Sequence, residues 1–381
     1  MFEKRINLEI LKKEPDYKGS VQNLYFLNNY ILCETTTGGS VFDVGTIFNI
    51  PESDIYRTVI RHLIYSKLNS GEDFDEIYKF FPEDFKISIK THHIGIIDKK
   101  SGEIVKDKKF ILSNLTLVKK FKIIKPVQFK IFNKILWDYH SHHIDDNFVI
   151  PLENIIRFGI TPQSSVYKRF LKADERGKNE ILNSLMVENL YPWQKFSKPI
   201  LDFTTKYEPQ DRAVSYQEAL YISGLDRELF KKLIFSTYFC AYFVYNFFKK
   251  VGLELWDLKL EFAKSGEDII LVDTIDTDSI RITINIDGKR VHFNKQSIRD
   301  YFIKFHPDWI KAIEDAKKIA KEKGIDFHEI LKEKYPQPPE IDKGFIQLQS
   351  KKLKTLVNVL LGKEEKSKLE ELAKEELKFF R

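Results

Sequence analysis

Leu255 to Arg281 reads LWDLKLEFAKSGEDIILVDTIDTDSIR, and this stretch decides the fold. Charged and apolar residues alternate from Asp257 to Phe262. An extended strand therefore sets Asp257, Lys259 and Glu261 on one face and Trp256, Leu258, Leu260 and Phe262 on the other. Ser265-Gly266-Glu267-Asp268 then supplies a turn, and the apolar run Ile269 to Val272 ends in Asp273. The pattern predicts a hairpin that buries one side and, on the other, returns a second carboxylate beside Lys259 and Glu261. In an arbitrary protein such a charged face is most often solvated surface. Carboxylates flanking an ammonium group are also what a Mg²⁺-nucleotide site requires.

Around this hairpin stand 381 residues, 43% of them apolar and 31% charged, which is enough to bury a substantial core and excludes wholesale disorder. The 62 basic and 56 acidic side chains leave a net charge of +6, compatible with an anionic substrate. Acidic residues interleave with the lysines almost everywhere, so no nucleic-acid surface is expected. Cys33 and Cys240 both lie in apolar surroundings, with no disulfide framework and no zinc-finger spacing. That points to a reducing compartment. The N-terminal MFEKRINLEI lacks the apolar core of a secretory signal. Leu233 to Phe248 is interrupted by Ser236, Thr237 and Asn246 and is too short to cross a bilayer, so it reads as a buried helix. A cytoplasmic protein with no membrane partner is the expectation.

Elsewhere the pattern is chiefly structural. Leu24 to Leu27, an Asn28-Asn29 turn and Tyr30 to Cys33 predict strands of a small antiparallel sheet. Ser53-Asp54 caps a helix whose Ile55, Val59, Leu63 and Ile64 face the core, and that helix carries no site residue in this reading. Adjacent His92 and His93 point to opposite sides of a strand and are read as structural. Trp137 to Asp146 gathers three histidines and three carboxylates, an inventory that a transition metal would accept, but without a helical His spacing it reads as an exposed connection. Beyond the hairpin come a charged helix from Asp308 to Lys323, a Pro-rich connector from Tyr335 to Glu340 and a closing helix from Phe345 to Leu361. The tail from Glu364 to Phe379 has Leu369, Leu372, Leu377 and Phe379 as anchors.

Two blocks carry a family resemblance. Leu255-Trp256-Asp257-Leu258-Lys259-Leu260-Glu261-Phe262-Ala263, with Asp273 and Thr277-Asp278-Ser279-Ile280-Arg281 after it, resembles a signature of the SAICAR synthetases. Val149-Ile150-Pro151-Leu152-Glu153-Asn154-Ile155-Ile156-Arg157 is similar to a second one. Weaker likenesses run in the same order: Gly19-Ser20-Val21-Gln22, Ser40-Val41-Phe42-Asp43, Leu117-Val118-Lys119-Lys120, Lys198 to Arg212, and Asn294 to Tyr301. Ser20 and Gln22 stand where the family carries Lys and Arg, Thr37-Gly38 where it has Asp-Arg, and Pro162-Gln163 where it has Gly-Ser.

The resemblance implies an α+β, two-lobed fold, with an antiparallel N-terminal lobe, a larger α+β lobe and the ATP and substrate cleft between them. In residues the expected division is 1–123 for the nucleotide-covering lobe, 124–148 for an insertion, 149–304 for the catalytic lobe and 305–381 for a helical extension. It also implies ATP-dependent ligation of L-aspartate to a carboxylated aminoimidazole ribotide. Lys259, Glu261 and Asp273 would be catalytic, and Glu261 and Asp273 would hold Mg²⁺ and meet ATP. Lys18, Gly19, Val21 and Lys119 would line the ATP site. Arg157, Arg281 and Ser164 would hold the ribotide phosphate, while Ser40, Asp43, Lys206 and Asp211 would shape the substrate and aspartate sites. A homo-oligomer is compatible with the resemblance, and so is a catalytically silent relative that binds nucleotide or ribotide as a regulator.

Overall fold

The computed structural model describes residues 4–106, 111–132, 134–208, 211–323, 326–335 and 337–381, so Pro209, Gln210 and Pro336 of the motifs above lie outside the described residues. Two large sheets organise the chain. The first has six antiparallel strands in the order Tyr17–Lys18, Gln22–Leu27, Tyr30–Thr35, Leu115–Lys119, His93–Ile97 and Ile104–Val105. The Asn28-Asn29 turn of the sequence reading is present, with Asn28 at φ 46°. Asn tolerates that left-handed conformation better than most residues.

The second sheet, of nine strands, is built around Glu254–Ser265. Leu152–Gly159, Asn147–Val149, Asp268–Val272 and Ile280–Ile286 all pair with this long strand, each antiparallel. Lys195–Thr205 and Ala213–Val214 extend the sheet beyond Leu152–Gly159, and Lys289–His292 extends it beyond Ile280–Ile286. Its far edge is Lys90–Thr91, which runs parallel to Asp268–Val272. The next strand in sequence, His93–Ile97, already belongs to the first sheet. The chain thus steps from one sheet to the other within a residue or two, directly beside Asp273.

One face of the second sheet is apolar because of the period-two pattern. Leu258, Leu260 and Phe262 pack with Ile156 and Phe203 against Leu233, Phe239, Phe243 and Phe248 of the helix Arg227–Lys249. Each such fully buried side chain contributes roughly 1.5–3 kcal/mol. The helix begins at Asp226, whose carboxylate accepts from the Leu229 amide. Among the described residues no helix is long and apolar enough to cross a membrane.

Trp256 departs from the simple alternation. The register slips between Leu255 and Asp257, and Leu255 joins the helix-facing core in its place. Trp256 packs edge-on against Trp193 at 5.0 Å and donates to Thr283 Oγ1 at 2.8 Å. A bulge keeps Asp257, Lys259 and Glu261 in phase while turning one large side chain to the other side.

The helix Ser53–Ser70 spans the two sheets and is buried nearly all round, including Arg57, Arg61 and His62. Further along, Pro307–Lys323, Lys343–Leu360 and Ser367–Phe379 are helices. The tail docks by burying Leu369 and Ala373 in the main core, and Lys352 is buried in ionic contact with Glu376. Within residues 124–148, Val127–Ile131 and Lys134–Asp138 form a two-stranded ribbon, a short 3₁₀ turn follows at His140–His143, and Asn147–Val149 rejoins the second sheet. His142 is buried there, with both ring nitrogens beside main-chain carbonyls, of Tyr139 at 3.1 Å and Ile124 at 3.0 Å. Among the described residues no group of three or more His, Cys, Asp or Glu side chains is placed to hold a metal.

Candidate active site

The polar face of the second sheet carries an ordered set of charges. Arg157, Asp257 and Arg281 lie side by side on three adjacent strands, because Arg157 pairs with Asp257 and Asp257 with Arg281. Two residues along, Lys259 is opposite Ile155, and beyond it Glu261 is opposite Val272, the residue before Asp273. Strand register alone therefore aligns a cationic end with an acidic one on a single face.

Lys259 Nζ is 2.8 Å from Glu153 Oε1, 2.5 Å from Glu261 Oε1 and 3.7 Å from Asp273 Oδ2. These three carboxylates outweigh burial and raise the lysine above its ordinary range, so it stays charged. Lys206 makes a second ion pair with Glu261, through Oε2. Burial works against ionisation of Glu261, but Lys259 and Lys206 prevail and hold it low. Desolvation and the nearby Glu261 charge push the Asp273 carboxyl upward. That side chain is 38% exposed, against 3% for Glu261, and so forms the open side of the cluster.

Asp273 is held from behind. It has φ 63°, unusual for a residue with a Cβ. Its main-chain carbonyl accepts from the Tyr65 hydroxyl at 2.8 Å and contacts His92 Nε2 at 3.0 Å. Burial drops the His92 imidazole to about 3, so it is neutral and donates from Nε2. Tyr207, at φ 77°, has a buried hydroxyl with no hydrogen-bond partner among the described residues, and burial, with the charges of Glu261 and Asp273 behind it, raises its phenol. Partial burial and Glu153 raise Asp211 in the same neighbourhood, with Lys259 opposing.

At the cationic end Arg157 is almost fully buried. Its Nε donates to Asp202 at 2.7 Å and its Nη1 to Ser164 Oγ at 3.3 Å. Ser164 caps the helix Ser165–Lys172 without a side-chain bond to it, which leaves the hydroxyl for Arg157. Arg281 Nη1 is 2.6 Å from Asp257 Oδ2. Three further cations stand here that sequence reading did not assign. Burial and the Arg281 charge lower Arg299; burial lowers Lys168, aided by Arg299 and Arg281; burial lowers Lys295, aided by Arg299. Glu314 and Asp278 oppose the shifts of Lys168 and Lys295, so the three cations add positive charge beside Arg281 that is partly offset by nearby carboxylates.

The remaining expected residues lie at the margins. Ser40 lines a cavity with Arg57, Asp278, Asn294 and Lys295. Asp43 meets Lys317 Nζ at 2.6 Å, and its carbonyl meets His328 Nε2 at 2.9 Å. Lys18 is exposed and paired with Glu14 at 2.6 Å, while Gly19 donates to the Gln22 carbonyl and Val21 accepts from Thr36. Lys119 ends its strand with an exposed side chain and its amide on the His92 carbonyl. The helix Ser53–Ser70, read from sequence as core alone, also delivers charge to this region. Arg57 contacts Asp278 and the Thr36 and Gly38 carbonyls, and Arg61 pairs with Asp276 at 2.6 Å. Arg61 also donates to Gln22 when that amide is oriented to accept. No local signal marks these two arginines, since their partners lie more than two hundred residues away.

The family model of the SAICAR synthetases matches residues 16–316. The chain belongs to the SAICAR synthetase family. A provisionally named phosphoribosylaminoimidazole-succinocarboxamide synthase of Archaeoglobus fulgidus is 27% identical over 313 residues, 81% of each chain. The phosphoribosylaminoimidazole-succinocarboxamide synthase of Elusimicrobium minutum is 26% identical over 307 residues, 79% of this chain and 87% of its own. In fold the chain resembles the SAICAR synthase of Saccharomyces cerevisiae solved with SAICAR, with a TM-score of 0.53, 20% identity and coverage of 92% and 95%. The α+β architecture is therefore that of the SAICAR synthetases. The charged face described above lies within the matched span.

Proposed function

We propose that this chain is the ATP-dependent ligase that joins L-aspartate to the carboxylate of carboxyaminoimidazole ribotide, the amide-forming step of de novo purine synthesis. The observation that carries the reading is the sheet face on which Lys259, Glu261 and Asp273 line up with the Arg157–Asp257–Arg281 row, inside a chain of this family. A carboxylate is a poor electrophile. One of its oxygens takes the γ-phosphoryl group of ATP and ADP leaves; the aspartate amine then attacks the carbonyl carbon, phosphate departs and the nitrogen loses a proton.

Each charged group has a task in that sequence. Arg157 and Arg281, with Arg299 and Lys168 near them, fit the ribotide phosphate, since guanidinium groups grip phosphate bidentately. Lys259 would draw the ribotide carboxylate towards the acidic end and lower the repulsion between two anions. Lys206 pairs with Glu261 and holds it in place, and Asp211 is near enough to Lys259 to help position the aspartate ammonium. The donor set suits Mg²⁺, which binds through one or two carboxylates and completes its shell with water and phosphate oxygens. Glu261 and Asp273 would hold the ion, and when bound it supplies the charge neutralisation that phosphoryl transfer needs. A cytoplasmic enzyme acting on small-molecule substrates is the reading this chemistry supports.

The test is direct. Purified protein with Mg-ATP, L-aspartate and the carboxylated ribotide should release phosphate in step with amide formation, and Glu261→Gln should abolish both while keeping the native melting transition. Nucleotide binding without turnover in the wild type would identify a silent relative. Undiminished turnover in Glu261→Gln would remove the acidic cluster from the mechanism.

A further inference from the structure

Arg57, Arg61 and Tyr65 stand at four-residue intervals on the helix Ser53–Ser70. That interval brings them onto one face, about 6 Å apart along the axis. All three are buried, and all three meet the segment that leads from Asp273 to Arg281. The Tyr65 hydroxyl donates to the Asp273 carbonyl at 2.8 Å, Arg61 Nη2 to Asp276 Oδ2 at 2.6 Å, and Arg57 Nη1 to Asp278 Oδ2. The helix and the segment thus run in opposite directions, anchor against anchor. The same two guanidinium groups also hold the first sheet. Arg57 Nη2 donates to the Thr36 carbonyl and, at 3.3 Å, to the Gly38 carbonyl; Arg61 Nη1 lies 3.5 Å from Thr35 Oγ1 and reaches Gln22 when that amide is oriented to accept. Gly38 and Gln22 are two of the positions at which this chain lacks an arginine of the family. A Cβ at Gly38 would meet Thr46 Cγ2 at 2.7 Å, so a side chain there would displace Thr46, and an arginine at 22 would face Arg61. The helix supplies a guanidinium group beside each of the two places.

We propose that Arg57 and Arg61 are positioning residues which, with Tyr65, template the path of residues 273–278 and thereby set Asp273 against Arg281. This role rests on the ligase reading, in which those two side chains serve the divalent ion and the ribotide phosphate. Within the segment the Ser279 amide donates to the Asp276 carbonyl at 3.1 Å and the Asp278 amide to Asp276 Oδ1 at 2.8 Å, while the Lys259 amide donates to the Ser279 carbonyl at 3.1 Å. Fixing Asp276 and Asp278 from the helix therefore fixes a tight turn that is itself tied to the strand of Lys259. Arg61 acts on the Asp273 side of this turn, through a residue three positions from Asp273; Arg57 acts on the Arg281 side, through a residue three positions from Arg281. A planar guanidinium fork can bridge acceptors of the first sheet to a carboxylate of the second. A lysine at either position keeps the charge and loses the bridge.

Calorimetric titration of the full chain with Mn²⁺ alone and with the carboxylated ribotide tests the assignment without turnover. Arg61→Lys should bind Mn²⁺ about fivefold more weakly while its ribotide affinity stays within about twofold of wild type, and Arg57→Lys should show the reverse. The double change Arg61→Met with Asp276→Asn leaves no buried charge alone. It should reproduce the Arg61→Lys loss, and it takes the place of that variant should the lysine form fail to fold. Variants that melt earlier yet bind both probes as wild type does would assign the arginines to the fold alone and overturn the proposal, as would two lysine variants that lose both affinities alike. A wild type that binds both probes without turning over would sink the ligase reading and leave the two affinities to decide the role of the arginines; a wild type that binds neither overturns both.

Discussion

Replacing Tyr65 with Phe removes one oxygen atom and keeps the ring that stacks on His93 at 5.4 Å. The lost hydroxyl donates at 2.8 Å to the Asp273 carbonyl and lies 3.2 Å from the Val272 carbonyl. A buried acceptor deprived of its donor costs about 1–3 kcal/mol, and since His92 still reaches the Asp273 carbonyl, about 1–2 kcal/mol is expected. Asp273 sits at φ 63°, where a side chain is unfavourable, so the loss falls on the geometry that aims its carboxylate. If that carboxylate holds the divalent ion, about 1–2 kcal/mol corresponds to a roughly 5- to 30-fold weaker ion site. Titration with Mn²⁺ as a spectroscopic substitute reads this without turnover, and the Mg²⁺ dependence of phosphate release reads it with turnover. The KM for ribotide, held at the other end of the sheet, should stay constant. A variant that loses stability yet binds the ion as tightly as wild type would show that Tyr65 serves the fold alone.

Asp273→Asn should abolish ligation without disturbing the turn, because Asn enters the left-handed region readily; an unchanged melting temperature with lost phosphate release is the expected pair of results. Lys352→Met should destabilise the protein by about 3–5 kcal/mol by stranding the Glu376 carboxylate, whose relative exposure is 3%. Adding Glu376→Leu should recover most of that loss in thermal unfolding, and no recovery would mean the pair matters for more than charge balance. Burial and the charges of Arg281 and Lys352 push the His292 imidazole down to about 3. The unfolded chain therefore takes up that proton first, and stability is lost as pH falls from about 6.5 towards 3, by up to about 1.4 kcal/mol per pH unit. His292→Gln should flatten the fall in melting temperature between pH 6.5 and 4.5, and an identical slope in both proteins would refute this origin.

Part of this site is written locally. The alternation from Asp257 to Phe262 fixes which residues share a face, whereas Arg157 is reached through the family likeness of Val149 to Arg157 and is aligned with Asp257 by the register of the sheet. Trp256 escapes the pattern because a bulge is a one-residue event that no periodicity announces. Arg57 and Arg61 escape it for another reason. Their helix is buried on nearly every side, so its apolar stripe marks no boundary, and the arginines are tolerated only because Asp278 and Asp276 meet them. Lys295 and Arg299 share one helix start, and Lys168 joins them only when the helix Ser165–Lys172 is brought alongside. The histidines at 140–143 read in sequence as an exposed connection, yet His142 is buried with its ring nitrogens beside the Tyr139 and Ile124 carbonyls.

The pairing of Arg61 with Asp276 spans 215 positions of the chain. At a synthesis rate of roughly 5–20 residues per second, the guanidinium waits on the order of 10–40 s for its counterion to leave the ribosome. During that interval the helix Ser53–Ser70 cannot settle between the sheets without stranding two cations in oil. The early strands must therefore remain provisional until the late hairpin arrives, and a fragment ending before it would be expected to draw chaperones rather than fold.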